Sequence, residues 1–166
     1  MRAERPIIFS PEMVRAILEG RKTETRRPVT EKHLFKLGID PENAEPRLLR
    51  DLPQTPFGRP GHRLWVKEQW AEQEESPSIL YRADVEHADG IKWKPAMFMP
   101  KWASRITLRI TSISVQYLQD ITEREAKKEG FSSRMEFAKA WDEIYQKKGF
   151  GWGRNPLVWI IRFRII

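Results

Sequence analysis

SPEMVRAILEGRKTETRR, residues 10–27, joins a helix to a strand through a glycine and loads the junction with charge. Ser10 offers a hydroxyl cap, Pro11 a preset φ in the first turn, and Glu12 an acid beside the positive end of the helix dipole. Met13, Val14, Ile17 and Leu18 share one helical face. Gly20 reads as the residue just past the helix end, and TETRRPV beyond it is extended and β-branched, so GRKTETRR (Gly20–Arg27) is a turn feeding a strand. Four of its residues are cationic (Arg21, Lys22, Arg26, Arg27) and one is acidic, Glu24. In a regular strand Lys22 and Thr25 have opposite parity. They can share a site only if Lys22 belongs to the turn, with the strand starting near Thr23 or later.

The rest of the chain reads as a small sheet with a few helices. IIF after Pro6 is a short strand. HRLWVKEQW (62–70) alternates: Leu64, Val66, Glu68 and Trp70 project to one face, Arg63, Trp65, Lys67 and Gln69 to the other. Glu68 therefore lands on the apolar face and requires a cation, hydrogen-bond donors or a proton. ILYRA (79–83) is another short strand. In MPKWASRITLRITSISVQYLQDI (99–121), Ile106, Leu108 and Ile110 have one parity and Ile113, Val115 and Tyr117 the other. That switch predicts a bulge or bend near Thr111 and Ser112, of the kind that curls a sheet toward a barrel. Thr122 with Glu125 and Ser133 with Glu136 fit capping boxes for two helices, the second carrying Phe137, Ala140, Trp141 and Ile144 on one face. PLVWIIRFRII (156–166) is a strand burying Leu157, Trp159, Ile161, Phe163 and Ile165, with Arg162 and Arg164 turned away. The expected fold is α+β, a curled mixed β-barrel with a few surrounding helices, forming a single domain over residues 1–166. Between about 30 and 61, five prolines interrupt brief apolar groups, which predicts a long insertion: a lid, a binding flap or a mobile segment.

Composition narrows the chemistry. Thirty Lys and Arg against 23 Asp and Glu give a formal charge of +7 and a sequence pI near 9.8, which favours a polyanionic partner. With no cysteine, disulfides, thiolate catalysis and Cys-ligated zinc are excluded. His33, His62 and His87 show no metal-ligand spacing, so neither a metal nor a cofactor is expected. The N-terminus has no signal-peptide-like run and no later stretch is long and apolar enough to span a bilayer, so a cytoplasmic protein without a membrane partner is expected. Of the seven Trp, periodicity assigns Trp141 and Trp159 to the core; Trp65, Trp70 and Trp102 lie near basic segments, where a ring can stack on a base. A cationic helix exit, an inward Glu68 and these tryptophans together describe a cationic cleft with aromatic walls, suited to single-stranded RNA or an unstacked nucleobase.

On these residues the chain resembles the ASCH domain family, whose fold is similar to PUA-like RNA-binding barrels. Gly20, Lys22, Thr25 and Arg26 or Arg27 fit its GxKxxTxR pattern, with strict spacing favouring Arg27. LWVKEQW, MPKWASRITLRI, QDITEREAKKEG and GWGRNPLVWIIRFR look like the longer phage and prophage members. The resemblance implies RNA or modified-nucleoside binding, and in one type of member hydrolysis of the acyl amide of N4-acetylcytidine by a Lys and a Thr of that motif with a Glu of the next core strand. Carried over residue by residue, these are Lys22, Thr25 and Glu68, with Arg21, Arg26, Arg27, Trp65, Trp70, Trp102 and Arg105 as candidate substrate or nucleic-acid contacts. Noncatalytic RNA binding and ribonuclease-like activity are the alternatives. A monomer is expected.

Overall fold

In the computed structural model, which describes residues 3–52, 55–75, 78–87 and 89–166, the Ser10 side chain accepts the Met13 amide and opens α1 (Pro11–Leu18) after strand β1 (Glu4–Ile8). Gly20, at φ +78°, turns the chain out of α1, and the Arg21 and Lys22 amides both donate back to the Ala16 carbonyl. Strand β2 (Glu24–Pro28) begins only after this turn, so Lys22 lies outside it. The middle of the chain contributes α2 (Glu31–Lys36), α3 (Pro46–Arg50), β3 (Arg63–Lys67), β4 (Trp70–Glu72) and β5 (Ile79–Tyr81). The last third adds β6 (Thr107–Tyr117), α4 (Glu123–Lys128), α5 (Arg134–Tyr145) and β7 (Leu157–Ile165).

Five strands form a mixed sheet in the order β1-β3-β6-β7-β2, parallel only between β1 and β3, while β4 and β5 make a separate ladder. Pro6 is tolerated because β1 is an edge strand. The register of β6 against β7 shifts between Ile110 and Ser112, where the parity switch predicts a bulge. One face of the sheet buries Ile7, Leu64, Val66, Leu108, Ile110, Ile161 and Phe163 under Val14 and Ile17 of α1. Farther along that face Val115 and Trp159 are covered by Leu34 of α2 and Leu49 of α3. On the opposite face Val158 and Ile160 meet α4 and α5 through Ala126, Phe137 and Trp141. The two core tryptophans predicted from periodicity, Trp141 and Trp159, are both buried.

Two expectations change here. The sheet curls without closing into a barrel, because β1 ends two residues before the Ser10 cap, and no ladder joins it to β2 among the described residues. A side chain spans the gap instead: Arg27 Nη2 donates to the Ile8 carbonyl at 2.8 Å, and its guanidinium lies 5.0 Å from the Phe9 ring centroid. The proline-rich stretch from 30 to 61 supplies two short helices, and Leu34 and Leu49 lock it onto the sheet.

Gly130 closes α4 at φ +95°, and an added Cβ would meet the Ala16 Cβ at 3.1 Å. A left-handed glycine packed this closely resists substitution for conformational and steric reasons alike. Gly130→Ala is therefore expected to destabilise the protein by more than about 1 kcal/mol, read as a fall in Tm by circular dichroism. An unchanged Tm would show that α1 and α4 are not packed this way.

Candidate active site in the seam of the sheet

The seam between the two edge strands is hollow. A cavity of about 520 Å³ is lined by Ile8 and Phe9 from the end of β1, Ser10 and Met13 from α1, Lys22, Thr25, Arg26 and Arg27 from the turn and β2, and Glu129. An apolar wall of Phe131, Phe137, Ala140, Trp141, Ile144 and Tyr145 faces them. None of the described residues of the 30–61 stretch lines it. Lys22 and Thr25, of opposite strand parity, both reach the cavity because Lys22 sits in the turn. Backbone bonds fix that turn on both sides: the Thr23 amide donates to the Lys128 carbonyl at 2.8 Å, and the Phe163 amide donates to the Thr23 carbonyl at 3.0 Å.

Lys22 is 3% exposed, and its ammonium donates to a Glu129 carboxylate oxygen at 2.7 Å and to the Glu129 carbonyl at 2.9 Å. Burial pushes its pKa below the ordinary lysine value, and Glu129 opposes that shift. Arg26, also 3% exposed, donates to Glu24 at 2.6 Å, to Glu129 at 3.1 Å and to Glu125 at 2.9 Å. Arg162 approaches Glu24 and Glu125 at 3.7 Å. Three cations thus face three carboxylates, and the expected cationic cleft gives way to a matched network. The other cations of the motif are also engaged: Arg21 pairs with Glu19 on the surface and Arg27 bridges the seam.

Glu68 goes elsewhere. As its parity predicts it is buried, 1% exposed, but it does not line the cavity. Its two oxygens accept from Arg105 at 3.0 and 3.1 Å, and Arg105 also holds both oxygens of Asp84. The guanidinium stacks 4.0 Å from the Tyr81 ring centroid. The expected meeting of Glu68 with Lys22 and Thr25 is replaced by an ion pair beneath Tyr81, and Arg105 is committed to carboxylates rather than open to a phosphate. The reason is local: β3 ends at Lys67, so Glu68 lies in the link to β4 and turns toward the segment that carries Arg105.

Sequence reasoning missed Glu129. One signal was available in TEREAKKEG: an acid at the C-terminal end of a short helix opposes the dipole, and so calls for a nearby cation. Among the tryptophans, Trp70 is 3% exposed and packs with Met99 and Ala103, so its ring cannot serve as a stacking platform. Trp102, 67% exposed, meets Trp70 edge to face at 5.8 Å. Trp65 is half-buried on the opposite parity from Leu64 and Val66, with the Lys67 ammonium 5.4 Å from its ring centroid. Among the described residues no group of three or more His, Asp or Glu is arranged to hold a metal ion, and no helix is long and apolar enough to cross a membrane.

The fold has solved counterparts. An ASCH domain from Lactobacillus crispatus JV V101 superposes with a TM-score of 0.54 at 14% identity, covering 98% of this chain and 79% of that one. The protein EF3133 from Enterococcus faecalis V583, matched by the DUF984 family model, gives 0.50 at 12% identity, covering 100% of this chain and 81% of that one. No family model and no curated protein matches the chain by sequence. The chain has the fold of an ASCH domain.

Burial raises the Glu68 pKa, with Arg105 opposing the rise. The native state thus holds this proton to higher pH than the unfolded chain, and its contribution to stability falls as pH rises through the carboxylate range. Arg105→Ala is expected to lose about 3 kcal/mol at neutral pH by stranding a buried carboxylate. The loss should shrink in mild acid, where Glu68 is protonated, and adding Glu68→Gln should recover part of it. Urea unfolding at both pH values tests this; an equal loss at each would refute the ion-pair account.

Proposed function

We propose that the seam cavity binds a nucleobase and that Lys22, Thr25 and Glu129 hydrolyse an amide on it, with N4-acetylcytidine as the reference substrate. The observation that carries this reading is a buried lysine, its pKa lowered by burial, facing an aromatic-walled cavity shared with a threonine hydroxyl. A planar heterocycle fits against Phe131, Trp141 and Tyr145, while the polar wall receives the amide. ASCH-like architecture supports an RNA- or nucleoside-binding role as the broader class.

The chemistry assigns each group one task. Lys22, when neutral, takes the Thr25 hydroxyl proton as Oγ attacks the acyl carbonyl. The exocyclic amine leaves with a proton from Lys22, and water then hydrolyses the acyl-threonine ester. Glu129 positions the Lys22 amine through the 2.7 Å bond. It is a weaker candidate for the base itself, because its two carboxylate oxygens are already taken by Lys22 and Arg26. The role expected for a strand glutamate at Glu68 is reassigned to Glu129 on geometry. The matched charges also suit a second reading, binding without turnover, in which the Lys22–Glu129 pair stays ionised and only shapes the pocket.

Purified protein incubated with N4-acetylcytidine should release cytidine, measured by chromatography. Lys22→Ala and Thr25→Val should each lower kcat/KM by at least about a hundredfold. Activity should rise with pH as Lys22 loses its proton, beginning below the range of an ordinary lysine because burial favours the neutral amine. Cytidine release that survives both substitutions would eliminate this mechanism, and base binding without release would favour the second reading.

A further inference from the structure

The segment IKWKPAMFMPKWAS, residues 91–104, carries three lysines and no acid, and only its Ala96 lines the seam cavity. Pro95 and Pro100 each precede a tight 3-10 turn, Ala96–Phe98 and Lys101–Ala103. The turns are fixed from below. Met99 and Ala103 are buried against Trp70, the Tyr81 hydroxyl donates to the Ala103 carbonyl at 2.7 Å, and the Ser104 hydroxyl donates to the Val66 carbonyl at 2.8 Å. Their neighbours stay in water: Met97, Phe98 and Trp102 are 62%, 70% and 67% exposed. Large apolar side chains crowded together on a surface mark an interaction site more often than a folding need. The cavities at the seam, beneath α3 and beside α2 are lined by other residues, so these three form a projecting tip and not the floor of a groove. Cations ring its base. The Lys67 ammonium donates to the Met97 carbonyl at 2.8 Å, the Lys94 ammonium lies 4.5 Å from the Trp70 ring centroid, and Lys101 adjoins Trp102. Acids answer only part of this charge: Glu72 pairs with Lys94, and Glu4 is shared by Lys101 and Arg63.

We propose that this tip docks the protein on an anionic lipid surface, with Met97, Phe98 and Trp102 entering the headgroup boundary and the lysines facing the lipid phosphates. Shape and charge together select that occupant. A projecting apolar tip can enter a fluid interface without a matching pocket, and tryptophan, apolar in its ring and polar at its N–H, favours that depth. Stable peripheral binding takes two signals, apolar insertion and attraction of a basic patch to anionic headgroups, and the tip carries both. A second copy of this chain fits less well, because a two-fold contact through the tip would set Lys67, Lys94 and Lys101 against their own counterparts. Surface docking needs no spanning segment, so the absence of an apolar run long enough to cross a bilayer does not bear on it. The proposal does not rest on the hydrolysis chemistry. It does give the pocket a setting: Ala96 adjoins Met97, so docking puts that part of the cavity rim beside the bilayer.

Co-sedimentation with vesicles of phosphatidylglycerol and phosphatidylcholine in equal parts, beside vesicles of phosphatidylcholine alone, tests the tip without any substrate. Failure here is therefore separate from failure of the hydrolysis reading. The mixed vesicles should bind the wild-type protein about tenfold more tightly than the neutral ones, with affinity falling as salt rises. Phe98→Ser combined with Trp102→Ser should weaken that binding about tenfold or more, and both side chains are exposed, so circular dichroism should show the fold intact. Met135→Ser, at an exposed position on α5, should leave it unchanged. Lipid brominated in its acyl chains should quench tryptophan emission in the wild type and quench it much less in Trp102→Phe. No sedimentation with the mixed vesicles overturns the proposal. Binding that the double substitution leaves unchanged does so too, since charge alone would then account for it. A dimer in light scattering that the double substitution dissociates would assign the tip to a second copy of this chain, and preference for an acidic amphipathic peptide over the vesicles would assign it to a protein partner; either overturns the lipid assignment.

Discussion

The buried contact between Arg26 and its three glutamates holds the working end of this protein together. Glu24 comes from the same edge strand, while Glu125 and Glu129 come from α4, so one guanidinium fastens the helix to the strand it overlies. Burying such a group is costly unless every charge is met, and removing one partner strands the rest. Here the charges are met: Lys22 takes the other Glu129 oxygen and Arg162 approaches from the solvent side. The position of Lys22 follows from this arrangement rather than from the lysine alone. Its turn is bonded to the last carbonyls of α4, so moving the helix moves the candidate base.

An open seam makes this arrangement useful. Had β1 paired with β2, the ladder would have filled the space that the cavity occupies, and Lys22 and Thr25 would face packed backbone. Leaving both edges unpaired is a liability that proteins ordinarily cover. Here α5 closes one side with Trp141, Ile144 and Tyr145, and Arg27 crosses the gap with its side chain. An unclosed barrel is thus the condition for having a pocket at this place.

Local signals in the sequence carried much of the fold. The Ser10 cap, the glycine exit at Gly20, the inward parity of Glu68 and the bulge at Thr111 each depend on residues close together in the chain, and each appears in the structure. What stayed hidden depends on distance. Glu129 meets Lys22 across 107 positions, and nothing in either segment states the pairing. Glu68 could be read as buried but not as Arg105's partner, because parity gives a direction and not a destination. Trp70 lay beside basic residues in sequence but under Met99 in space, and barrel closure depends on where β1 stops relative to a strand on the far edge.

The net charge of +7 therefore has to be read by location. In the seam part of it is neutralised: Arg21 pairs with Glu19, and Lys22 and Arg26 with Glu24, Glu125 and Glu129, while Arg27 is held by the Ile8 carbonyl and keeps its charge beside the pocket. Burial is what moves the Lys22 pKa below the ordinary lysine value; the Glu129 carboxylate opposes that shift, and the neighbouring Arg27 and Arg26 charges add to it, so the placement of each charge around the turn matters more than the sum over the chain.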